Sequence, residues 1–195
     1  MEKFCFREEQ PRVTVSAVGT VLLLINGKEK TEISGGMPDE NGMVTTEAVE
    51  RKVWVYDGVR LDTGGMTTEA ALTAAAQKMV LEKITDWDTS EAVNGFILNG
   101  QRVWLDKATR VGLMNSTTIA KGMGQATTTL WLGDVKLVVE CDKAIQLLSA
   151  LEMYALECFN TTAAHKKAVA EMGTVEEVLG YDYTAGYPKM LEMSV

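Results

Sequence analysis

An α+β fold is the class this sequence predicts, and three observations predict it. Short apolar runs that alternate with polar residues crowd the first 62 residues, the period-2 pattern of strands. Two later runs, around Asn99-Gly100 and Gly133-Asp134, have the spacing of hairpins. Between and after them lie stretches with apolar residues at helical spacing, the longest from about 142 to 172. The chain therefore reads as an N-terminal antiparallel β region, then hairpin, helix, hairpin and long helix. That order predicts helices packed on one sheet face. Gly64-Gly65 sets the expected boundary: a β-rich domain over 1–64 and an α+β domain over 65–195.

Val13, Val15 and Ala17 alternate with Thr14 and Ser16 as in a half-buried strand. Thr20 to Ile25 runs into Asn26-Gly27 and then into the polar arm Lys28 to Ile33. Asn-Gly between such runs predicts a hairpin turn, because both turn positions need positive φ. Residues 34–41 hold Gly35-Gly36, Pro38 and Asp39 and should be a loop. Lys52 to Tyr56 is strand-like, Asp57-Gly58 is the next expected turn, and Val59 to Leu61 the returning arm.

Thr67 or Thr68 can cap a helix with Glu69 in its first turn. Leu72, Ala76, Met79, Lys83 and Trp87 follow at helical spacing, widened by Val80 and Ile84. Ser90 can cap a short turn through Val93. Phe96 to Leu105 is an Asn99-Gly100 hairpin, and Asp106 stands where a cap should open a helix to about Lys121. Gly122 and Gly124 end it. Thr127 to Leu132 and Val135 to Val139 form the last hairpin.

The final helix carries Ala144, Leu148, Leu151, Ala155, Cys158, Thr162, His165, Val169 and Met172 in 4-3 alternation. That spacing is a heptad seam. Thr174-Val175-Glu176-Glu177 is a capping box for a short helix, and Tyr181 to Val195 reads as a tail.

Composition excludes several function classes. A net charge of −8 with no basic cluster argues against nucleic-acid binding, which needs Lys and Arg to displace counterions. The longest aliphatic run, Val21 to Ile25, is far short of the roughly 20 residues that cross a bilayer. Acidic residues near the start and no signal-type apolar core predict a cytoplasmic product. Three cysteines without CxxC spacing make no disulfide framework or zinc site. Cys141 and Cys158 sit roughly 25 Å apart along a helix and read as buried thiols.

No reaction chemistry is legible. His165 is the single histidine, and Cys158 lies two turns away on the same helix, about 10 Å along the axis. Asp39, Asn41 and Gly42 resemble a fragment of a calcium loop without its later ligands. Asp86 and Asp88, and Glu176 and Glu177, read as caps and solvated faces rather than an acid–base pair. Trp54, Trp104, Trp131 and Tyr154 could stack on sugars, but strand aromatics more commonly pack across strands. No catalytic residue, cofactor or metal site is expected.

The segment from Phe96 to Met172 resembles a domain-of-unknown-function family found in bacteriophage and prophage proteins, often among tail and tail-fibre genes. The Asn99-Gly100 hairpin carries the resemblance, with Trp104-Leu105-Asp106-Lys107-Ala108-Thr109-Arg110, Thr129-Leu130-Trp131-Leu132-Gly133, the Leu147–Ala155 helix and His165. The resemblance implies a non-enzymatic structural protein of the virion, assembled in the host cytoplasm and partnered by other phage structural proteins. A tail-fibre assembly chaperone and a glycan-binding module of the tail are the alternatives. The N-terminal 62 residues fall outside it and are the expected attachment part. Tail appendages are commonly trimeric, so the resemblance implies an interface along a three-fold axis at Leu148, Leu151, Ala155, Cys158, Thr162, His165 and Val169. The competing expectation is that the seam packs on the chain's own sheet.

Overall fold

The computed structural model describes residues 1–17, 19–34 and 49–194. Of the loop expected over 34–41, residues 35–41 lie outside them, as does the Asp39-Asn41-Gly42 fragment, while Ser34 ends a strand. The chain divides into two compact units, Met1–Ala76 and Gln77–Val195. It is α+β, with antiparallel strands in the first unit and helices packed with short sheets in the second.

The first unit is a four-stranded sheet in the order β1-β4-β3-β2, from β1 (Glu2–Phe6), β2 (Val13–Ala17), β3 (Thr20–Ser34) and β4 (Val49–Asp62). All its pairings are antiparallel. Neither expected turn is there. Ile25 pairs with Asp57 and Lys28 with Val55, so Asn26 and Gly27 together oppose Tyr56. This is a β-bulge inside a continuous strand, with Asn26 at φ +56° supplying the left-handed residue. Asp57 and Gly58 lie in mid-strand.

Ring packing explains both glycines. A Cβ on Gly27 would come within 2.5 Å of the Tyr56 ring, and one on Gly58 within 2.4 Å of the Phe4 ring. Phe4 and Phe6 on β1 stand opposite Tyr56 and Trp54 on β4. Their rings stack in pairs at 6.3 and 6.4 Å along each strand. β1 and β2 are the two edges of the sheet, so the link between them must cross a face. Gln10 N–H donates to the Tyr56 hydroxyl, which puts that link on the aromatic face. Val21, Leu23 and Leu61, essentially inaccessible, lie on the opposite face. Gly58→Ala must displace the Phe4 ring, an overpacking cost of about 1–3 kcal/mol. Urea unfolding should show that loss, and Phe4→Ala in the same chain should recover part of it.

The second unit takes in most of α1 (Glu69–Asp88), then β5 (Phe96–Leu98), β6 (Gln101–Val103), α2 (Lys107–Gly122), β7 (Thr127–Leu132), β8 (Val135–Glu140), α3 (Cys141–Glu171), α4 (Val175–Gly180) and β9 (Leu191–Met193). The Asn99-Gly100 hairpin forms as expected, with φ of 49° and 81°. β9, read from the sequence as tail, pairs parallel to β5 and gives the order β6-β5-β9. β7 and β8 form a separate two-stranded sheet.

One core joins these pieces: Phe96, Leu98 and Val103 from the first sheet, Leu130, Leu132 and Val139 from the second, and Ala144, Leu147, Leu148 and Leu151 from α3. α2 runs antiparallel to α3, because Arg110 near its start pairs with Glu152 while Lys121 near its end pairs with Asp142. The capping box on α4 is complete, Thr174 accepting from Glu177 N–H and Glu177 reaching back to the cap. Gln77 closes the end of α3, its amide donating to the carbonyls of Val169 and Met172. No helix among the described residues is long and apolar enough to cross a membrane.

Candidate functional site

The seam residues come first. Leu148, Leu151, Ala155, Cys158, Thr162, His165 and Val169 are all buried, none more than 9% exposed. They face this chain's own elements: Leu148 and Leu151 join the main core, and Cys158 packs with Val93 and Tyr154. The polar seam positions are occupied too. Thr162 Oγ1 donates to Asp88 Oδ1 at 2.7 Å and lies 2.9 Å from the Tyr187 hydroxyl. A seam filled in this way leaves no surface for a second or third chain to cover. The heptad spacing reports packing within the chain.

His165 sits between Tyr181 Oη, 2.6 Å from Nδ1, and the Ala185 carbonyl, 2.9 Å from Nε2. A carbonyl only accepts, so Nε2 carries the proton, and in the neutral ring Nδ1 accepts from Tyr181. Both nitrogens are thereby committed to straps of the segment after α4. Burial pushes the Cys158 thiol above its ordinary range and the Tyr154 phenol up to about 12. Cys158 is therefore a protonated thiol at neutral pH, without the thiolate a nucleophile needs. Cys141 is also buried, as the sequence predicts for both helix thiols, and Cys5 is exposed. Among the described residues no three His, Cys, Asp or Glu side chains are grouped to hold a metal.

A groove of about 420 Å³ lies where the Trp104–Arg110 segment meets α3 and the end of α1. The local sequence builds its near wall. Asp106 caps α2, Oδ1 accepting from Thr109 N–H at 2.9 Å and Oδ2 from the Thr109 hydroxyl at 2.6 Å. That turn swings Arg110 inward, 7% exposed, where it donates to Glu152 Oε1 at 3.0 Å and to the Leu105 carbonyl at 2.7 Å. The buried guanidinium has both a counter-charge and a carbonyl, which is what such a group requires. Ala155, Leu156 and Phe159 of α3 make the far wall, with Leu156 48% and Phe159 61% exposed. The buried Trp104 indole N–H and Asn94 amide oxygen, on two residues of this groove, have no hydrogen-bond partner among the described residues.

Thr109 holds the Asp106 carboxyl below its ordinary value by side-chain and backbone hydrogen bonds, and Thr184 does the same for Asp182. A carboxyl depressed in the folded state contributes stability above its unfolded value, and the contribution is lost as pH falls through the folded value. The melting-temperature gap between the native chain and Asp106→Ala should be full at pH 6. It should close as pH drops below the ordinary value of 3.8. A gap that stays constant to pH 2.5 would contradict the capping role.

The remaining aromatics divide. Trp54 lies in the ring array of the first sheet, stacked on Tyr56, and Tyr154 is buried. Trp131 is 57% exposed with Lys136 Nζ 5.7 Å from its ring centroid, so the cross-strand packing expected for it does not bury it. Of the paired acids, Asp88 is taken by Thr162 and Glu177 by the α4 cap. Sequence reasoning marked Trp104 to Arg110 but missed that Asn94, Glu152 and Phe159 complete a groove with it. The spacing of 42 residues between Arg110 and Glu152 carries no local signal.

A family model described as Domain of unknown function (DUF4376) matches residues 73–185. The match takes in the groove, the seam of α3, and His165 with its partners Tyr181 and Ala185. Tyr187 and β9 lie beyond it. No curated protein matches the chain, and no solved structure does.

Proposed function

The chain belongs to the DUF4376 family, and on that premise we propose that it is a non-enzymatic structural protein of a bacteriophage or prophage, associated with the tail or tail fibre. It works by docking, and the Trp104–Arg110 groove with its Leu156–Phe159 rim is the docking surface. The observation that carries this reading is how the groove's side chains are used. Arg110, Glu152, Asp106 and Asp88 are bonded to neighbours in the chain, while Leu156 and Phe159 stand exposed. Committed charges beside uncovered apolar side chains suit a partner's surface better than a reacting substrate. The motif resemblance supplies the phage setting.

Mass spectrometry of gradient-purified particles tests it. The chain should be present at a fixed ratio to the tail proteins after high-salt washing. Its absence from particles, with presence in assembly intermediates, would favour the assembly-chaperone reading instead. Trp131, exposed on β7, is the observation that favours a glycan-binding module. Quenching of its fluorescence by host polysaccharide, lost in Trp131→Phe, would support that reading.

A further inference from the structure

β3 and β4 outrun their neighbours. β2 pairs only with Thr20 to Leu23, and β1 only with Trp54 to Gly58. From Lys28 to Ser34, β3 pairs with Val49 to Val55, and beyond Trp54, where β1 ends, the pair is a two-stranded ribbon, Lys30 to Ser34 against Val49 to Val53. Lys28 through Ile33 are exposed on both faces, and so are Glu50, Arg51 and Lys52. Val53, opposite Lys30, is buried, so the uncovered part of the ribbon begins at Thr31 and Lys52, and a two-stranded ribbon is marginal alone. The outer edge of Lys28 to Ser34 has no strand partner among the described residues. It runs about 23 Å at ~3.3 Å per residue.

We propose that this edge pairs antiparallel with the same edge of a second copy of the chain, centred on Thr31, making a two-fold dimer through a continuous sheet. The occupant follows from register and charge. In antiparallel pairing, opposed residues both point their backbone groups at the partner strand or both away. For two identical edges this allows only pairings whose residue numbers are both odd or both even. Centring on Thr31 uses the whole free edge, Lys28 to Ser34. It sets Thr31 against Thr31, Lys30 against Glu32 twice, and Glu29 against Ile33 twice. Sliding the axis to Lys30 or Glu32 opposes two lysines or two glutamates, and sliding to Glu29 opposes two glutamates and two Lys28–Lys30 pairs. The Thr31 register is the one among these with no like charges opposed. Lysine on a strand edge ordinarily deters pairing; alternating signs turn that deterrent into selection for one partner and register.

The pairing also covers Ile33, 68% exposed on the ribbon, beside Glu29 and Thr31 of the partner subunit. Glu32, opposite Arg51 of its own β4, gains Lys30 of the partner subunit on its other side. Glu29 keeps its ion pair with Lys52 at 3.1 Å. This inference stands on the first unit's edge and does not depend on the biological setting proposed above.

Sedimentation equilibrium on the full chain tests it, with charge reversals at exposed positions that leave the fold intact. The native chain should show a reversible species of twice 21.3 kDa. Lys30→Glu alone and Glu32→Lys alone should each weaken it about tenfold, because two attractive pairs become repulsive. The double variant should restore the native constant. Thr31→Cys in a Cys5→Ser background should form an interchain disulfide under mild oxidation. A monomer at every concentration, a trimer, or a dimer that the double reversal fails to restore would overturn the proposal.

Discussion

Phe96→Ala is expected to lower the stability of the second unit by about 3–5 kcal/mol, the cost of removing a buried ring and leaving a cavity. Phe96 is fully buried, paired with Val103 on β6 and with Leu191 on β9. It therefore touches both strands of its sheet and the core that α3 closes. The void cannot collapse easily, since a hairpin strand and a parallel strand would both have to shift. Guanidinium unfolding followed by far-ultraviolet dichroism measures the change. A loss under 1 kcal/mol would mean that the three-stranded sheet is not anchored as described. The same experiment on Leu191→Ala should show a smaller loss, because Leu191 is only partly buried.

Arg110→Met is expected to cost about 2–4 kcal/mol, because breaking a buried pair strands its partners. The Leu105 carbonyl loses a donor at 2.7 Å and Glu152 loses its counter-charge. Glu152 is 35% exposed at its side chain, so water relieves part of the penalty and holds the figure at the lower end. Adding Glu152→Leu should return part of the loss, since an apolar pair of similar size avoids desolvating two charges. Lys167→Met supplies the contrast. Its pair with Glu171 is exposed at both ends, and such pairs contribute about 0–1 kcal/mol. Equal losses for Arg110→Met and Lys167→Met would show that the groove wall is not held by this pair.

Elements whose signals are local were legible. The Asp106 cap, the Thr174 box and the Asn99-Gly100 turn are short-range hydrogen-bond and φ requirements, and each forms where the residues ask for it. Asn26-Gly27 and Asp57-Gly58 carry the same local signal for another reason. Their glycines make room for Tyr56 and Phe4, rings that reach them across the sheet. Nothing within a few residues distinguishes a turn from a bulge under an aromatic ring. β9 escaped because a three-residue strand, Leu191–Met193, has too little alternation to register and depends on β5, nearly a hundred residues earlier. The α3 seam was legible as a buried stripe. Its partner was not, since heptad spacing is the same whether the facing surface belongs to the chain or to a neighbour. The groove is the extreme case: Trp104 to Arg110 stand out in the sequence, but Asn94, Glu152 and Phe159 join them only through the fold.

The groove's role as a docking surface is the centre of the functional account, and one variant tests it most directly. Leu156→Asp with Phe159→Asp changes two exposed side chains on the rim and should leave the melting temperature within a few degrees of the native chain. On the proposed phage setting, the variant introduced into the encoding genome should abolish recovery of the chain in purified particles while its cellular level is unchanged. Incorporation of the double variant at the native ratio would contradict the account and remove the groove from the assembly surface.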